Sequence, residues 1–509
     1  MKKFLLLALC SGLLFCACQK ECKPGEDVDC WLGALKNPEL QEKALDNLRD
    51  LNDRKAEPAL IEAFKNAEDK PEVREKIAEI FHKWGTQQAV EVMLAAIDYT
   101  AGPSSEGRKA KRINLMNQKI ASALGALGDQ KAVQPLIRLM KTTKTPEVQR
   151  ATIRALAKLK AKDAVEDLIK FSEDTTVDKI VRMNAIFALG EIADPRAVDS
   201  LVLSLYRDKA FYFFQAGLAL VKIGEPAIPA LVKAMNGNNL EAKQMLEGNP
   251  EVLEGVLEAN SSKVLGDIGS PEAVQPLLDM IKKVEKWDAE MNRMVTITRL
   301  INALGAIGDK RGLEPALKYM AQELWDVRTI CATAVNNISD RSAVAAMLKF
   351  AATGAHPKTR IPIIEAIGNL GTDEILPQLE KLKENPEDPE VEKALDLTIQ
   401  RLQAYRQCQS NADCWIGKLA DPNPVVKEKA AYELGRLGEE KAVDGLIKIM
   451  RDENENVRYA VMFAFDRIGS GKVIPEIEKL VEEEKDSVRF RVANFNYQLV
   501  AARLSRKGK

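Results

Sequence analysis

Few residues in this chain could do covalent or metal chemistry, and cysteine leads them. Eight Cys occur in 509 residues. Two short-range pairs stand out, Cys22 with Cys30 and Cys408 with Cys414. The second member of each pair opens the same kind of run, Asp29-Cys30-Trp31-Leu32-Gly33-Ala34-Leu35 and Asp413-Cys414-Trp415-Ile416-Gly417-Lys418-Leu419. In an oxidising compartment such pairs form disulfides. A four-Cys zinc site is the rival reading, weakened by the nearly 380 residues between the pairs and by the lack of CxxC spacing. Cys331 lies between Ile330 and Ala332 on an apolar helix face and reads as a buried small hydrophobe. The chain has only two His, His82 and His356, with no metal spacing between them. HExxH and GxSxG are absent. Gly469-Ser470-Gly471-Lys472 resembles the end of a phosphate loop without its upstream Gly, and a helix-pair turn explains it. The sequence therefore leads us to expect no catalytic residues, no metal and no cofactor, and so a protein that is not an enzyme.

The compartment follows from the first residues. Lys2 and Lys3 precede a continuous apolar stretch, Phe4 to Ala17, too short to span a bilayer and matching a secretory signal. It ends Leu14-Phe15-Cys16-Ala17-Cys18, which resembles the lipobox of bacterial lipoproteins, with Phe15 where that family usually has Leu. The resemblance implies a signal peptide over 1–17, a lipid on Cys18, and, with Gln19 rather than Asp following, an outer-membrane lipoprotein facing the periplasm. An ordinary cleaved signal with unmodified Cys18 is the alternative. Net charge is −1, from 74 Lys plus Arg against 75 Asp plus Glu, which argues against nucleic acid as a partner. Hydrophobic residues make up 46 % and charged residues 29 %, a foldable composition.

The remainder is one motif repeated. Leu124-Gly-Ala-Leu-Gly-Asp129-Gln-Lys-Ala-Val-Gln-Pro-Leu136 returns at Leu189 to Leu201 and at Leu265 to Leu277, with further copies from Leu304, Ile367 and Leu434. Turn residues fall at 53, 86, 129, 161, 194, 225, 270, 309, 340, 372, 439 and 470. Most intervals are 30 to 33 residues; three are longer, at 43, 45 and 39, and one of 67 hides a further unit. Each unit reads as two helices. Val181, Ala185, Ala188 and Leu189 illustrate the apolar face of the first, a Gly-containing turn closes it, and the second runs Ala-Val-x-x-Leu. Several first helices open with Val and a cation, as in Val73-Arg74, Val181-Arg182, Val327-Arg328, Val457-Arg458 and Val488-Arg489. The hidden unit is placed at Val391, Ala394, Leu395 and Ile399, with its turn near Ala404 and the Cys408–Cys414 loop in place of the Gly.

From residue 39 to about 503 the pattern resembles HEAT repeats of the short phycobilisome-lyase-like type. The expected fold is all-α, a right-handed α-solenoid of about twelve or thirteen stacked helical hairpins. The expected organisation is a lipid-anchored, disulfide-closed cap over 18–38, a repeat array over 39–405, and C-terminal repeats over 406–509 that start with the second disulfide loop.

Three features are candidate contact sites for a partner, expected to be an envelope protein. Residues 98–113, 236–262 and 282–293 interrupt the repeat; the first carries Arg108, Lys109, Lys111 and Arg112, the second Gly237-Asn238-Asn239 and Gly248-Asn249-Pro250, and the third looks like helix extension. Nine residues past the turns stand Lys318, Lys349, Lys381, Lys448 and Lys479, with Lys418 at the matching place in the hidden unit. If second helices line a concave face, as the resemblance implies, these lysines form a cationic stripe for an acidic partner. Phe211-Tyr212-Phe213-Phe214 cannot all hide on one helix face, so at least one is exposed or covered by a loop, and Phe213 aligns with Arg182 and Arg458. The leading reading is a lipid-anchored periplasmic scaffold that binds another protein. The alternatives are a periplasmic enzyme or enzyme subunit with its site in an inserted loop, and a binder of an anionic polymer.

Overall fold

The structure is a computed structural model that describes residues 22–507, apart from 24, 26, 248–253, 354–355 and 484–490. The signal segment and Cys18 lie outside the described residues, as do Gly248-Asn249-Pro250 and Val488-Arg489. Among the described residues every regular element is helical. The chain divides into two compact units at Ala164 and Val165, so residues 405 and 406 fall inside the second.

The first helices of the pairs, in chain order, are α1 (Gln41–Leu51), α2 (Pro71–Trp84), α3 (Arg108–Leu127) and α4 (Pro146–Lys158) in the first unit. The second unit has α5 (Lys179–Ile192), α6 (Phe213–Ile223), α7 (Val256–Ile268), α8 (Glu290–Ile307), α9 (Trp325–Ile338), α10 (Ile361–Leu370), α11 (Pro389–Cys408), α12 (Pro424–Leu437), α13 (Glu455–Ile468) and α14 (Arg491–Lys507). A second helix follows each of α5 to α13. Each unit is thus a helical-hairpin solenoid, as the period required.

The two glycines of the Leu-Gly-x-x-Gly motif have different duties. The later one sits just past the helix in the left-handed region, as at Gly308 with φ 75°, where a side chain is strained. The earlier one lets neighbouring first helices touch. A Cβ on Gly190 would lie 2.7 Å from the Cα of Ala219, and one on Gly305 2.5 Å from that of Ala334. The next residue, Asp or Ser, then turns the chain. Asp129, Asp194, Ser270, Asp309, Asp340 and Ser470 each accept a hydrogen bond from the backbone N–H two residues on. A 3-10 turn follows, and the second helix begins at the Val or its equivalent.

The Val-cation pairs also have a physical reason. Val73, Val181, Val327 and Val457 are buried. The neighbouring Arg reaches back to carbonyls that end the preceding second helix, as Arg74 does to Phe64 O at 3.0 Å and Arg328 to Met320 O at 3.2 Å.

The hidden pair exists, but α11 runs through Ala404 to Cys408, so its turn begins at Gln409, five residues later than the spacing predicts. Its closing device occurs twice. Cys22 and Cys30 are joined with Cα atoms 5.6 Å apart, and Cys408 and Cys414 at 5.4 Å. In each case a buried Trp follows and donates its indole N–H to the loop, Trp31 to Lys23 O and Trp415 to Gln409 O. Asp27 and Asn411 cap the helices by accepting from Cys30 N and Cys414 N.

Candidate protein-binding surfaces

In the second unit the first helices pack closely on one another. Their backbones approach within touching distance, and the C-terminal stretch folds back upon them. Lys429 of α12 donates to Asn369 O at 2.8 Å and Gly371 O at 3.1 Å, where α10 ends. Arg436 donates to Ser339 Oγ at the end of α9, and Arg467 of α13 donates to Asn337 O. Arg503 of α14 donates to Asp267 O and Gly266 O, each at 2.7 Å, and Arg506 to Ile268 O at 2.6 Å. These carbonyls are the negative ends of helix dipoles, so a cation is the natural cap. The carboxylates that balance the cations are Glu433, 2.7 Å from Arg341 and 2.9 Å from Lys429, and Asp466, 2.7 Å from Arg503. Burial pushes the Lys429 ammonium down to about 7, against the pull of Glu433. Burial pushes the Asp466 carboxyl up, but Arg503 and then Lys507 outweigh it, and the net shift is downward. The C-terminal ends of α7, α9 and α10 are therefore occupied by the chain itself.

Lys318, Lys349, Lys381, Lys418, Lys448 and Lys479 do occupy matching places near the ends of second helices. Three of the six are neutralised: Lys318 by Glu285 at 2.6 Å, Lys418 by Asp421 at 3.6 Å and Lys479 by Glu483 at 4.0 Å. Lys349, Lys381 and Lys448 are exposed.

The basic segment at Arg108 and Arg112 is the start of α3, and not a loop. Arg112 pairs with Glu72 at 3.5 Å, and Arg108 is exposed. The irregular stretch ahead of it is tied down: Asn117 exchanges hydrogen bonds with the backbone of Asp98, and Asn114 donates to Gly102 O. In 236–262 the chain adds a short helix, Leu240–Leu246. Within 282–293, extension occurs at Val274–Val284 and at the start of α8, with a turn between them.

The aromatic run is split between exposed and buried positions. Phe213 is half-buried and Tyr212 is buried, while Phe211 is 50 % and Phe214 65 % exposed. Just ahead of them, Asp208, Lys209 and Ala210 take φ values of 53°, 58° and 61°, three successive non-glycine residues in the left-handed region. Such a conformation costs about 1–3 kcal/mol per residue and persists where surrounding structure enforces it. Here the buried Arg182 guanidinium holds the Asp208 carboxylate at 3.0 Å. Phe214 meets Phe495 of α14 edge-on at 5.3 Å, and Lys179 lies 5.3 Å from the Phe211 ring centroid. Further exposed apolar side chains stand at the opening turns of other first helices: Ile180, Met291, Val295, Trp325 and Tyr459. Among the described residues, no group of three or more His, Cys, Asp or Glu is placed to hold a metal, and no helix is long and apolar enough to cross a membrane.

Comparison with known proteins agrees with the repeat type. Residues 115–180 and 415–495 match the family described as HEAT repeats, and 181–205 the PBS lyase HEAT-like repeat. Among curated proteins, deoxyhypusine hydroxylase of Candida albicans (strain SC5314 / ATCC MYA-2876) is 27 % identical over 154 residues, 30 % of this chain. The chain spans about half the length of that relative, 46 %. Among solved structures, the Kap95:Nup1 complex gives a TM-score of 0.49 at 13 % identity, covering 93 % of this chain and 76 % of that one. Importin beta gives 0.41 at 12 % identity, covering 94 % and 74 %. No functional property transfers at these scores.

Proposed function

We propose that the protein is a non-catalytic scaffold of the bacterial envelope, held to the outer membrane by a lipid on Cys18, that binds another protein through exposed aromatic residues of its second unit. The observation that carries the reading is the strained run at 208–210, which holds Phe211 and Phe214 toward solvent beside Phe495. Aromatic side chains left in water at an enforced backbone conformation are anchors in search of a pocket. The solenoid supports this use, since stacked hairpins offer long surfaces of matching residues. The signal segment and its Cys support export and lipidation. Nucleic acid and cofactors have no part in this reading.

The test compares crosslinked envelopes of wild type with those of Phe211→Ser, Phe214→Ser. The double variant melts like wild type and loses the crosslinked partner. Retention of that partner at wild-type yield contradicts the proposed surface. A second reading, binding of an anionic polymer, rests on Lys349, Lys381 and Lys448, whose ammonium groups have no ionic partner among the described residues. The enzyme reading has only the partial match to deoxyhypusine hydroxylase behind it.

A further inference from the structure

Four apolar side chains stand in water where α8 and α9 begin. Met291 is 76 % exposed, more than any other large apolar side chain among the described residues, and Val295, Leu324 and Trp325 are half exposed. Met291 and Val295 lie one turn apart on α8. Leu324 is the cap residue of α9 and Trp325 opens it. The two helices touch at Gly305 and Ala334, and counting back equally from that point reaches Val295 on one and Leu324 on the other. The stretches ahead of both helices are tied together, since Glu285 accepts from Lys318 at 2.6 Å and from Tyr319 at 2.8 Å. The four side chains therefore form one patch shared by neighbouring helices. Single exposed apolar residues are ordinary, but a shared patch marks a contact surface.

The rim says what kind of partner fits. Glu254, Asp288, Glu290 and Asp326 are exposed, and none has an ion-pair partner among the described residues. Glu254 reaches α8, where Asn292 donates to it at 3.4 Å. Arg293 is spent on Trp287 O at 2.6 Å and Arg328 on Met320 O, which leaves Lys286 and Arg299 as the cations nearest the patch. One acid at a helix start suits the dipole. Four around an apolar patch also make its rim net negative. That rim disfavours an anionic lipid surface. It disfavours a second copy too, because patch against patch opposes like charges, and the first unit exposes no large apolar side chain among its described residues.

The shape of the partner follows from the spacing. Packed helices lie about 10 Å apart, close to the width of one helix with its side chains. A helix laid over the seam meets Met291 and Val295 on one side and Leu324 and Trp325 on the other. Its apolar stripe would cover the patch and its flanking cations would meet the rim, the helix-in-groove mode of recognition. We propose that the opening turns of α8 and α9 bind an amphipathic helix of another protein, with an apolar stripe flanked by Lys or Arg. The residues are other than Phe211 and Phe214, and the proposal stands if that surface fails.

The test uses the full chain in detergent and a helical peptide with Leu at i, i+3, i+4 and i+7 spacing, Lys on both flanks and one photo-reactive residue in the stripe. The controls are the same peptide with Glu for Lys, and one of the same composition with the stripe scrambled. On irradiation the Lys peptide crosslinks to the opening turns of α8 and α9, mapped by mass spectrometry, which separates contact with the protein from peptide dissolved in the micelle. Met291→Ser with Trp325→Ser lowers the yield at least fivefold at unchanged circular dichroism, and Trp325→Ala alone lowers it in the same direction. Asp288→Asn with Glu290→Gln and Asp326→Asn lowers it at low salt, where screening is weak. Equal yield from the Glu peptide or the scrambled peptide overturns the proposal, and so do adducts that map elsewhere or wild-type yield in the double Ser variant. Dimerisation of the full chain that Trp325→Ser abolishes overturns it as well, because a second copy then holds the patch.

Discussion

Replacing Arg503 by Ala removes four contacts that span more than half the second unit. The guanidinium donates to Asp267 O, Gly266 O and, at 3.3 Å, Ala306 O, and it pairs with Asp466 at 2.7 Å. Hydrogen bonds to a charged group contribute about 1.5–3 kcal/mol each, but they are not additive when one side chain makes them all. Loss of one partner from a buried ion pair costs about 3–5 kcal/mol. Asp466 keeps Lys507 at 3.5 Å, so the low end applies. A loss of about 3 kcal/mol in the docking of α14 is expected, roughly a hundredfold in the docking equilibrium. Hydrogen exchange of α14 reads this directly, because opening of a segment is measured against its own closed state. Exchange across 495–507 and at Gly266 to Ile268 should rise together by that factor in Arg503→Ala, and less in Arg503→Lys, which keeps the charge but loses the fork. The same docking depends on pH. The Asp466 carboxyl is lowered in the folded chain, so its contribution is present above the ordinary carboxylate range and is lost as pH falls through the lowered value. Docking should hold at pH 5 to 7 and weaken below about 4. Exchange of α14 within twofold of wild type in Arg503→Ala would refute the claim that cations on helix ends hold the C-terminal arm.

The remaining expectations concern single positions. Mass spectrometry after alkylation without reductant should find one modified thiol among Cys22, Cys30, Cys331, Cys408 and Cys414, and that one, Cys331, only after unfolding, because burial pushes its thiol up to about 12. Alkylation of all five contradicts the two disulfides. Lys429→Met should remove a slope in stability: with the ammonium lowered to about 7 by burial, the unfolded chain binds the extra proton between pH 7 and 10, so wild-type stability rises with pH there. Urea midpoints at pH 7 and 9 check this, and equal slopes in both proteins contradict it. Gly305→Ala should cost about 1–3 kcal/mol by forcing α8 and α9 apart, visible as a lower melting temperature. Glu at Lys349, Lys381 and Lys448 together should leave melting nearly unchanged, each exposed change being worth under about 0.5 kcal/mol, and should spare partner crosslinking.

The hairpins were legible because their signals are local. Leu-Gly-x-x-Gly-Asp encodes a close helix contact, a left-handed stop and a capped turn within six residues. The lysine register was legible for the same reason, since equal spacing from the turn gives equal position on the helix. How closely the first helices pack was not legible, because periodicity places residues on faces and says nothing of the distance between helices. The clue was present in the pairing of Gly190, Gly266, Gly305 and Gly435 with Ala219, Ala303, Ala334 and Ala464 in the next first helix. The C-terminal arm left no clear signal. Arg436, Arg467 and Arg506 end their helices, where a cation reads as a cap on its own dipole, yet each caps a helix more than 95 residues away. The four aromatics announced exposure without saying which were exposed, since that depends on the left-handed run at 208–210.

The central claim is that the second unit meets its partner at Phe211 and Phe214, and not on the lysine row. A photo-crosslinking residue placed at Phe214, and in a separate strain at Lys349, tests it in intact cells after a brief exposure to light. The account predicts one defined adduct from the Phe214 position and none from Lys349. An adduct from Lys349 with none from Phe214 would contradict it.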